Sequence, residues 1–486
     1  MSNQQFREKL DRAAVLADAP PDLSKILNDT ILNLPPVKRV RLNPLTIANK
    51  LDADPIIMLD LFIQGARIGL FDWSWDLICP LCGFTTRPAA QSINDTPQDK
   101  FHCALCNIDA PTVMDDTIEV SFSPNPELLV GIEDHHVDKD TYLAYYASQA
   151  SPFINSISKM IDENGKGSVR LEPGESRTIV FEPNQDKQYR LVCLDTHDSV
   201  TFEIDINAPE SGLVVINQNI SGFQKDDLPK QLPLKQTGLK LVNQAKHTVL
   251  NQLIEFTCQN ADKFNEDPLG VSQERLKSFG PRVTGKLLLN NQTFRDHYGI
   301  QKLDPDLSLK IRDLTLLFTD LKGSTELYDR TGDIEAYRLV RDHFLVLKDV
   351  VHRHSGAIVK TMGDAIMATF SNPQDGVRAS IDMLKGLAEY ANSVKPHEIG
   401  LKIGLHSGPA LTVNAGGHID FFGQTVNIAA RVQGLASAGE ICVSENVEKG
   451  DGVHNLLLEN QFIPNREEVT LKGVSEKNII HRYAQN

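Results

Sequence analysis

The chain has 486 residues and a formal net charge of -15, with 41% hydrophobic and 23% charged side chains. That length exceeds one hydrophobic core and implies several domains, and the acidic surplus argues against a nucleic-acid partner. No stretch approaches the ~18 apolar residues of a membrane span, and the opening MSNQQFREKLDRAAVL lacks the apolar core of a signal peptide. A cytoplasmic protein without membrane contact is expected.

Residues 6–33 carry apolar side chains at helical spacing, and NLPPVKRVRLNP then reads as a linker, because Pro35 and Pro36 stop a helix and Pro44 starts the next. Short helices running into an extended stretch over residues 41–78 have the outline of a winged helix. Its charges are mostly acidic: Arg67 stands among Asp54, Asp60, Asp72 and Asp76, where a recognition helix needs basic residues.

Cys79-x-x-Cys82 and Cys103-x-x-Cys106 follow, twenty residues apart, while Cys193, Cys258 and Cys442 stand singly. In a reducing compartment two such pairs mean metal rather than disulfides. Four thiolates close a tetrahedral Zn2+ site with no position left for water, so the zinc is expected to be structural.

From about 117 to 258 short extended runs alternate with Gly, Pro, Asn and Asp, beginning with TIEVSFSP at 117–124. They suggest a mostly antiparallel sandwich or barrel, interrupted by a helical insertion near 138–162. His135 and His136, in DHHVD, read as part of a solvated acidic turn. Residues 261–308 look like a connector.

The last third alternates cleanly. A strand at Leu314–Thr319 ends in an unpaired Asp320 and a polar loop, Leu321 to Thr325; a helix over 333–353 buries Val340, Phe344, Leu347 and Val351 and stops at Gly356. AIVKTM, a Gly363-Asp364 turn and AIMATF form a hairpin, and a second helix leads to GLKIGLHSG. This βαββαβ order is that of a split ferredoxin-like unit. It makes the first strand a neighbour of the hairpin, so Asp320 and Asp364 can share one site. Two close carboxylates repel unless a cation lies between them. Oxygen ligation by few carboxylates suits Mg2+ held partly by phosphates, and a pair of ions suits displacement at phosphorus.

FTDLKGST, KTMGDAIMATF, IGLHSGP and DFFGQTVNIAARV, in this order over residues 310–486, resemble the catalytic domain of class III nucleotidyl cyclases. The resemblance implies that Asp320, Asp364 and the Leu321 carbonyl hold two Mg2+ or Mn2+ ions. It implies that Lys360 and Asp420 read adenine, Asn427 orients the ribose, Arg431 stabilises the transition state and Lys472, in VTLKGV, grips the triphosphate. Asn427 and Arg431 lie four apart, on one helix face. His406, in IGLHSGP, reads as a packing residue. Lys360 is only four residues before Asp364, so both can hardly serve one pocket; a head-to-tail homodimer with two shared sites is expected. The N-terminal region resembles that of a group of bacterial adenylate or guanylate cyclases of uncharacterised regulation.

The expected protein is thus multidomain α+β: an N-terminal helical segment (1–40), a winged-helix-like segment with a zinc ribbon (41–115), a β-sandwich-like regulatory domain (116–260), a connector (261–308) and a cyclase domain (309–486). Its expected activity is conversion of ATP to cyclic AMP and pyrophosphate, under control of an unknown ligand or protein at the N-terminal region. The alternatives are a guanylate cyclase, or a catalytically silent module whose N-terminus binds nucleic acid.

Overall fold

The computed structural model describes residues 2–86, 92–205, 207, 213–226, 228, 230–233, 237–256, 268–298, 304, 307–322, 332–393, 400–474 and 477–485. Two compact units divide the chain: Met1–Thr112 with Asp116–Thr284, and Val113–Asp115 with Gly285–Asn486. Among the described residues no helix is long and apolar enough to cross a membrane.

In the first unit, two helices start by the same device. Pro44 opens Pro44–Leu51 behind Asn43, whose side chain accepts from the Leu45 and Thr46 amides; Pro55 opens Pro55–Arg67 behind Asp54, which accepts from Ile56 and Ile57. Strand β1 (Phe71–Leu77) follows. The hairpin of β2 (Lys100–Cys103) and β3 (Ile108–Pro111) comes next, and then β4 (Ile118–Pro124) pairs antiparallel with β1. The run at 117–124, expected in the sandwich, therefore lies outside it. The reason is packing: Phe122 is fully buried against the rings of Phe62 and Trp73, on the helix and strand just before the cysteines.

The sandwich itself is built from β5 (Gly165–Leu171), β6 (Ser176–Phe181), β7 (Gln188–Cys193), β8 (Asp198–Asp205), β9 (Leu213–Asn219), β10 (Gly222–Phe223), β11 (Gln231–Pro233), β12 (Thr237–Asn243) and β13 (Val249–Phe256). Among the described residues its sheets run β10-β9-β12-β6 and β11-β8-β7-β13-β5, with Leu171, Tyr189, Phe202, Ile216, Leu239 and Leu253 in the shared core. Pairs β9–β12 and β8–β11 are parallel within an otherwise antiparallel arrangement. Helices Lys139–Tyr146 and Ile154–Asn164 precede the sandwich rather than interrupt it.

The second unit has the expected βαββαβ order: β14 (Leu309–Lys322), helix Asp333–Arg353, β15 (Gly356–Met362), β16 (Ala365–Phe370), helix Pro373–Ser393 and β17 (Gly400–Ala415). Strand β18 (His418–Phe422), helix Gln424–Gln433, β19 (Ile441–Ser444), β20 (Phe462–Thr470) and β21 (Lys477–Gln485) extend it, in the order β15-β16-β14-β17-β19-β21-β20 with β18 on β17. Val340, Leu347 and Val351 are buried as their spacing requires, but the helix ends at Arg353 and Ser355, not Gly356, takes the left-handed turn. Gly356 begins β15, where a Cβ would lie 2.3 Å from the Phe370 ring. Strand β14 is longer than its apolar run, because pairing with β17 continues through Lys322 opposite Gly400. Leu321 and Lys322 are thus strand residues, and the expected loop positions Gly323, Ser324 and Thr325 lie outside the described residues.

Candidate functional site

Strand β16 pairs with β14 through Phe318 opposite Met367, and the Ile366 amide donates to Thr319 Oγ1 at 3.2 Å. Asp320, two residues beyond Phe318, and Asp364, in the turn just before Ala365, therefore lie at one end of adjacent strands. Gly363 makes that turn possible, with φ of +66°. Asp364 Oδ2 is buried and accepts no hydrogen bond among the described residues. A buried carboxylate oxygen without a partner is costly, and a hard divalent cation would satisfy it, so the residues present fit such an ion. Asp320 is not unpaired as its sequence context suggests: Lys402, on β17, reaches its Oδ2 at 2.9 Å. The Leu321 side chain is buried in the core of this unit.

Lys360 and Asp420 come together from β15 and β18, with Nζ 2.6 Å from Oδ2 and the lysine side chain 42% exposed. A bulge between Ile358 and Lys360 shifts the register just there, as bulges do where a side chain must be re-aimed. The helix Gln292–Tyr298, in the expected connector, supports both strands. Gln292 Oε1 accepts from the Ile358 amide at 2.8 Å; Arg295 donates to the Ile419 carbonyl at 3.1 Å and packs over the Phe421 ring. Burial lowers the Arg295 guanidinium to about 10, opposed by the charge of Asp420. Neither Arg295 nor Gln292 is identifiable from sequence, since nothing in NNQTFRDHY indicates its distant target.

Asn427 and Arg431 are exposed on Gln424–Gln433. That helix lies close over β17 because Gly404 has no Cβ; one built there would come within 2.2 Å of the Gln433 backbone. Lys472 is exposed beside Gly473, at which an added Cβ would stand 3.9 Å from Arg431 Nη2, so the turn after β20 and the arginine are neighbours. His406 is buried, its Nδ1 2.7 Å from Ser444 Oγ, and burial lowers it to about 4.

In the first unit Cys79, Cys82, Cys103 and Cys106 bring their sulfurs within 4.8 Å of one another. The 3.7 Å between Cys82 and Cys103 sulfurs is close to the ~3.8 Å edge of a tetrahedron with ~2.3 Å Zn–S bonds, so the four thiols fit zinc. His135 and His136 are not on a solvated turn. Their side chains are only 20% and 8% exposed, and both face Asp195.

Residues 308–484 match the family described as adenylate and guanylate cyclase catalytic domain, and residues 6–207 match a family of unknown function. An adenylate cyclase of Anabaena cylindrica is 31% identical over 151 residues, 28% of this chain and 30% of its own length. An uncharacterized protein of Mycobacterium tuberculosis is 32% identical over 124 residues, 26% of this chain and 30% of its own. The adenylyl cyclase CyaB of P. aeruginosa, a solved structure, is 20% identical with a TM-score of 0.32, over 37% of this chain and 97% of that one. The chain spans no more than 30% of the length of the curated relatives it matches first. Its C-terminal region, residues 308–484, belongs to the class III nucleotidyl cyclase catalytic domains.

Proposed function

We propose that the protein is an adenylate cyclase, acting in the cytoplasm as a head-to-tail homodimer with its N-terminal unit as the regulatory part. The observation that carries the choice of adenine is the Lys360–Asp420 pair, a donor and an acceptor held 2.6 Å apart. Adenine offers a ring-nitrogen acceptor beside an amino donor and complements them; guanine reverses the order and leaves both unsatisfied, which is how hydrogen-bonding sites discriminate.

Asp320, Asp364 and the Leu321 carbonyl would hold two Mg2+ or Mn2+ ions. Such ions lower the pKa of the attacking 3'-hydroxyl and neutralise charge on the phosphates. Asn427 holds the ribose so that the 3'-oxygen faces the α-phosphorus; a new O–P bond forms there and the bond to pyrophosphate breaks. Arg431 donates to the phosphoryl oxygens as their charge grows, and Lys472 holds the triphosphate. The exposed apolar side chains Met362, just before the turn of Asp364, and Phe422, at the end of the strand that carries Asp420, suit a partner protomer that completes each site.

The four cysteines hold one structural zinc. The acidic winged-helix-like segment packs within its own unit and is not a nucleic-acid reader. Comparison of kcat/KM for ATP and GTP tests the assignment: ATP is favoured by at least ~10²-fold, and Lys360→Glu with Asp420→Cys moves the preference to GTP. A wild-type preference for GTP, or a double variant that still favours ATP as strongly, overturns it.

A further inference from the structure

We propose that His135, His136 and Asp195 form a second transition-metal site in the N-terminal unit, separate from the cysteines, for a divalent ion of the zinc type. Three parts of the chain build it. Asp138 caps helix Lys139–Tyr146 by accepting from the Thr141 amide, which fixes the preceding Asp134-His135-His136 at the helix start. Tyr142 and Tyr146, one turn apart on that helix, both reach Asp195, in the turn after β7. The Leu250 amide, on β13, donates to Asp195 Oδ2 at 2.9 Å.

The two oxygens of Asp195 are used differently. Oδ2 is held in place by Tyr142 Oη at 2.9 Å, by the Leu250 amide and by Cys193 Sγ at 3.6 Å. Oδ1 is where His136 Nε2 at 2.8 Å, His135 Nε2 at 3.3 Å and Tyr146 Oη at 2.8 Å converge. Both potential imidazole ligand atoms thus meet at the one carboxylate oxygen that the Leu250 amide leaves free. The ring nitrogens of His136 both face carboxylates, Nδ1 at 3.1 Å from Asp134 Oδ1 and Nε2 at 2.8 Å from Asp195 Oδ1.

An ion among the three ligand atoms uses this convergence directly. His136 then donates Nδ1–H to Asp134 and gives its Nε2 lone pair to the metal, the carboxylate–histidine–metal arrangement in which an outer carboxylate fixes tautomer and ring. Asp195 Oδ1 becomes a ligand oriented by the groups on Oδ2. The ligand atoms lie within 4.8 Å of one another; the 3.3 Å from His135 Nε2 to Oδ1 is near the ~3.4 Å edge of a tetrahedron with ~2.1 Å bonds, and the 2.8 Å from His136 Nε2, a hydrogen-bond distance, would open by about half an ångström around an ion. Stacking of His135 on Tyr145, centroids 3.9 Å apart at 13°, sets its ring plane. Tyr146 Oη, 3.2 Å from His135 Nε2, stands beside the fourth position. Two imidazoles and one carboxylate select a borderline ion over Mg2+ or Ca2+.

The test uses full-length, reduced protein with its cysteine site filled by Zn2+, and Co2+ as probe. One further equivalent of Co2+ should bind, with the weak visible absorption of nitrogen and oxygen ligation and no sulfur-to-cobalt charge-transfer band. His135→Ala, at the more exposed ligand, and His136→Ala should each abolish this equivalent while the melting curve shows a folded protein. Asp134→Asn should weaken it by at least ~10-fold, and Cys103→Ser should leave it intact. If wild-type protein takes up no second ion, or if both histidine variants keep it, the site is only a hydrogen-bonded clamp and the proposal fails.

Discussion

The two units place their charges differently. In the N-terminal unit titratable groups are buried: Arg41 lies 3.8 Å from Asp76 with side-chain exposures of 9% and 1%, its Nη1 donates to the Tyr145 carbonyl, and the two Glu119 oxygens share the one Ser148 hydroxyl in the interior. In the cyclase unit the main core cluster is aliphatic and aromatic, and Asn427, Arg431 and Lys472, proposed to meet the nucleotide, are exposed, although Asp364 Oδ2 and the Arg295 guanidinium are buried. Burying charge costs more than an apolar core of equal volume, whereas exposed charges cost little and remain available to a ligand. The exposed cationic groups of the cyclase unit remain available to a ligand, whereas Arg41, Asp76 and Glu119 of the N-terminal unit are committed to internal geometry.

That contrast breaks first at the metal end of the cyclase sheet. Asp364→Ala removes the oxygen that has no partner among the described residues, and with it the proposed metal ligand, so cyclic AMP formation should fall to near zero while the unit stays folded. Unchanged turnover, measured with Mg2+ or Mn2+, would mean that Asp364 is not a ligand. The next effect is smaller. Arg431→Ala should lower turnover ~10²- to 10³-fold, the usual loss for one donor to a developing charge. Mixed with Asp320→Ala it should recover roughly a quarter of wild-type activity, because random pairing makes half the dimers mixed, each with one intact site. No recovery in a mixture shown by native mass spectrometry to contain heterodimers would place each site within one chain.

The third test sharpens the comparison through pH. Burial raises Glu119 to about 7, so the folded unit binds a proton that the unfolded chain releases near pH 4.5. Stability from this group is greatest below pH 4.5 and falls by roughly 3 kcal/mol as pH rises to 7. His343 and His406, in the cyclase unit, are lowered by burial to about 4. Their contribution is intact above pH 6.5 and is lost as pH falls toward 4, roughly 3 kcal/mol each. Melting curves from pH 4.5 to 8 should show the N-terminal transition weakening toward alkali and the cyclase transition weakening toward acid. Glu119→Gln should flatten the first only; an unaltered alkaline loss in that variant would assign it to another group.

The cyclase unit was legible because its order and turns are local: hairpin residues at Gly363-Asp364, helical spacing at Val340 to Val351, and Asn427 and Arg431 one turn apart. The convergence of Cys79, Cys82, Cys103 and Cys106 could be read from spacing as well. What escaped depends on partners far along the chain. An alternating run such as 117–124 states that it is a strand but not that it pairs with 71–77, and nothing near Asp320 announces Lys402. The histidine pair failed for the same reason, since Asp195 lies some sixty residues away.

Helix Gln292–Tyr298 carries one more consequence. It follows the boundary at residue 284, and from it Gln292 fastens the strand of Lys360 while Arg295 fastens the strand of Asp420. One short helix thus braces both members of the Lys360–Asp420 pair, which come from strands some sixty residues apart. Any substitution that shifts this helix would move both strands at once, and with them the spacing of Lys360 and Asp420, without touching Asp320 or Asp364.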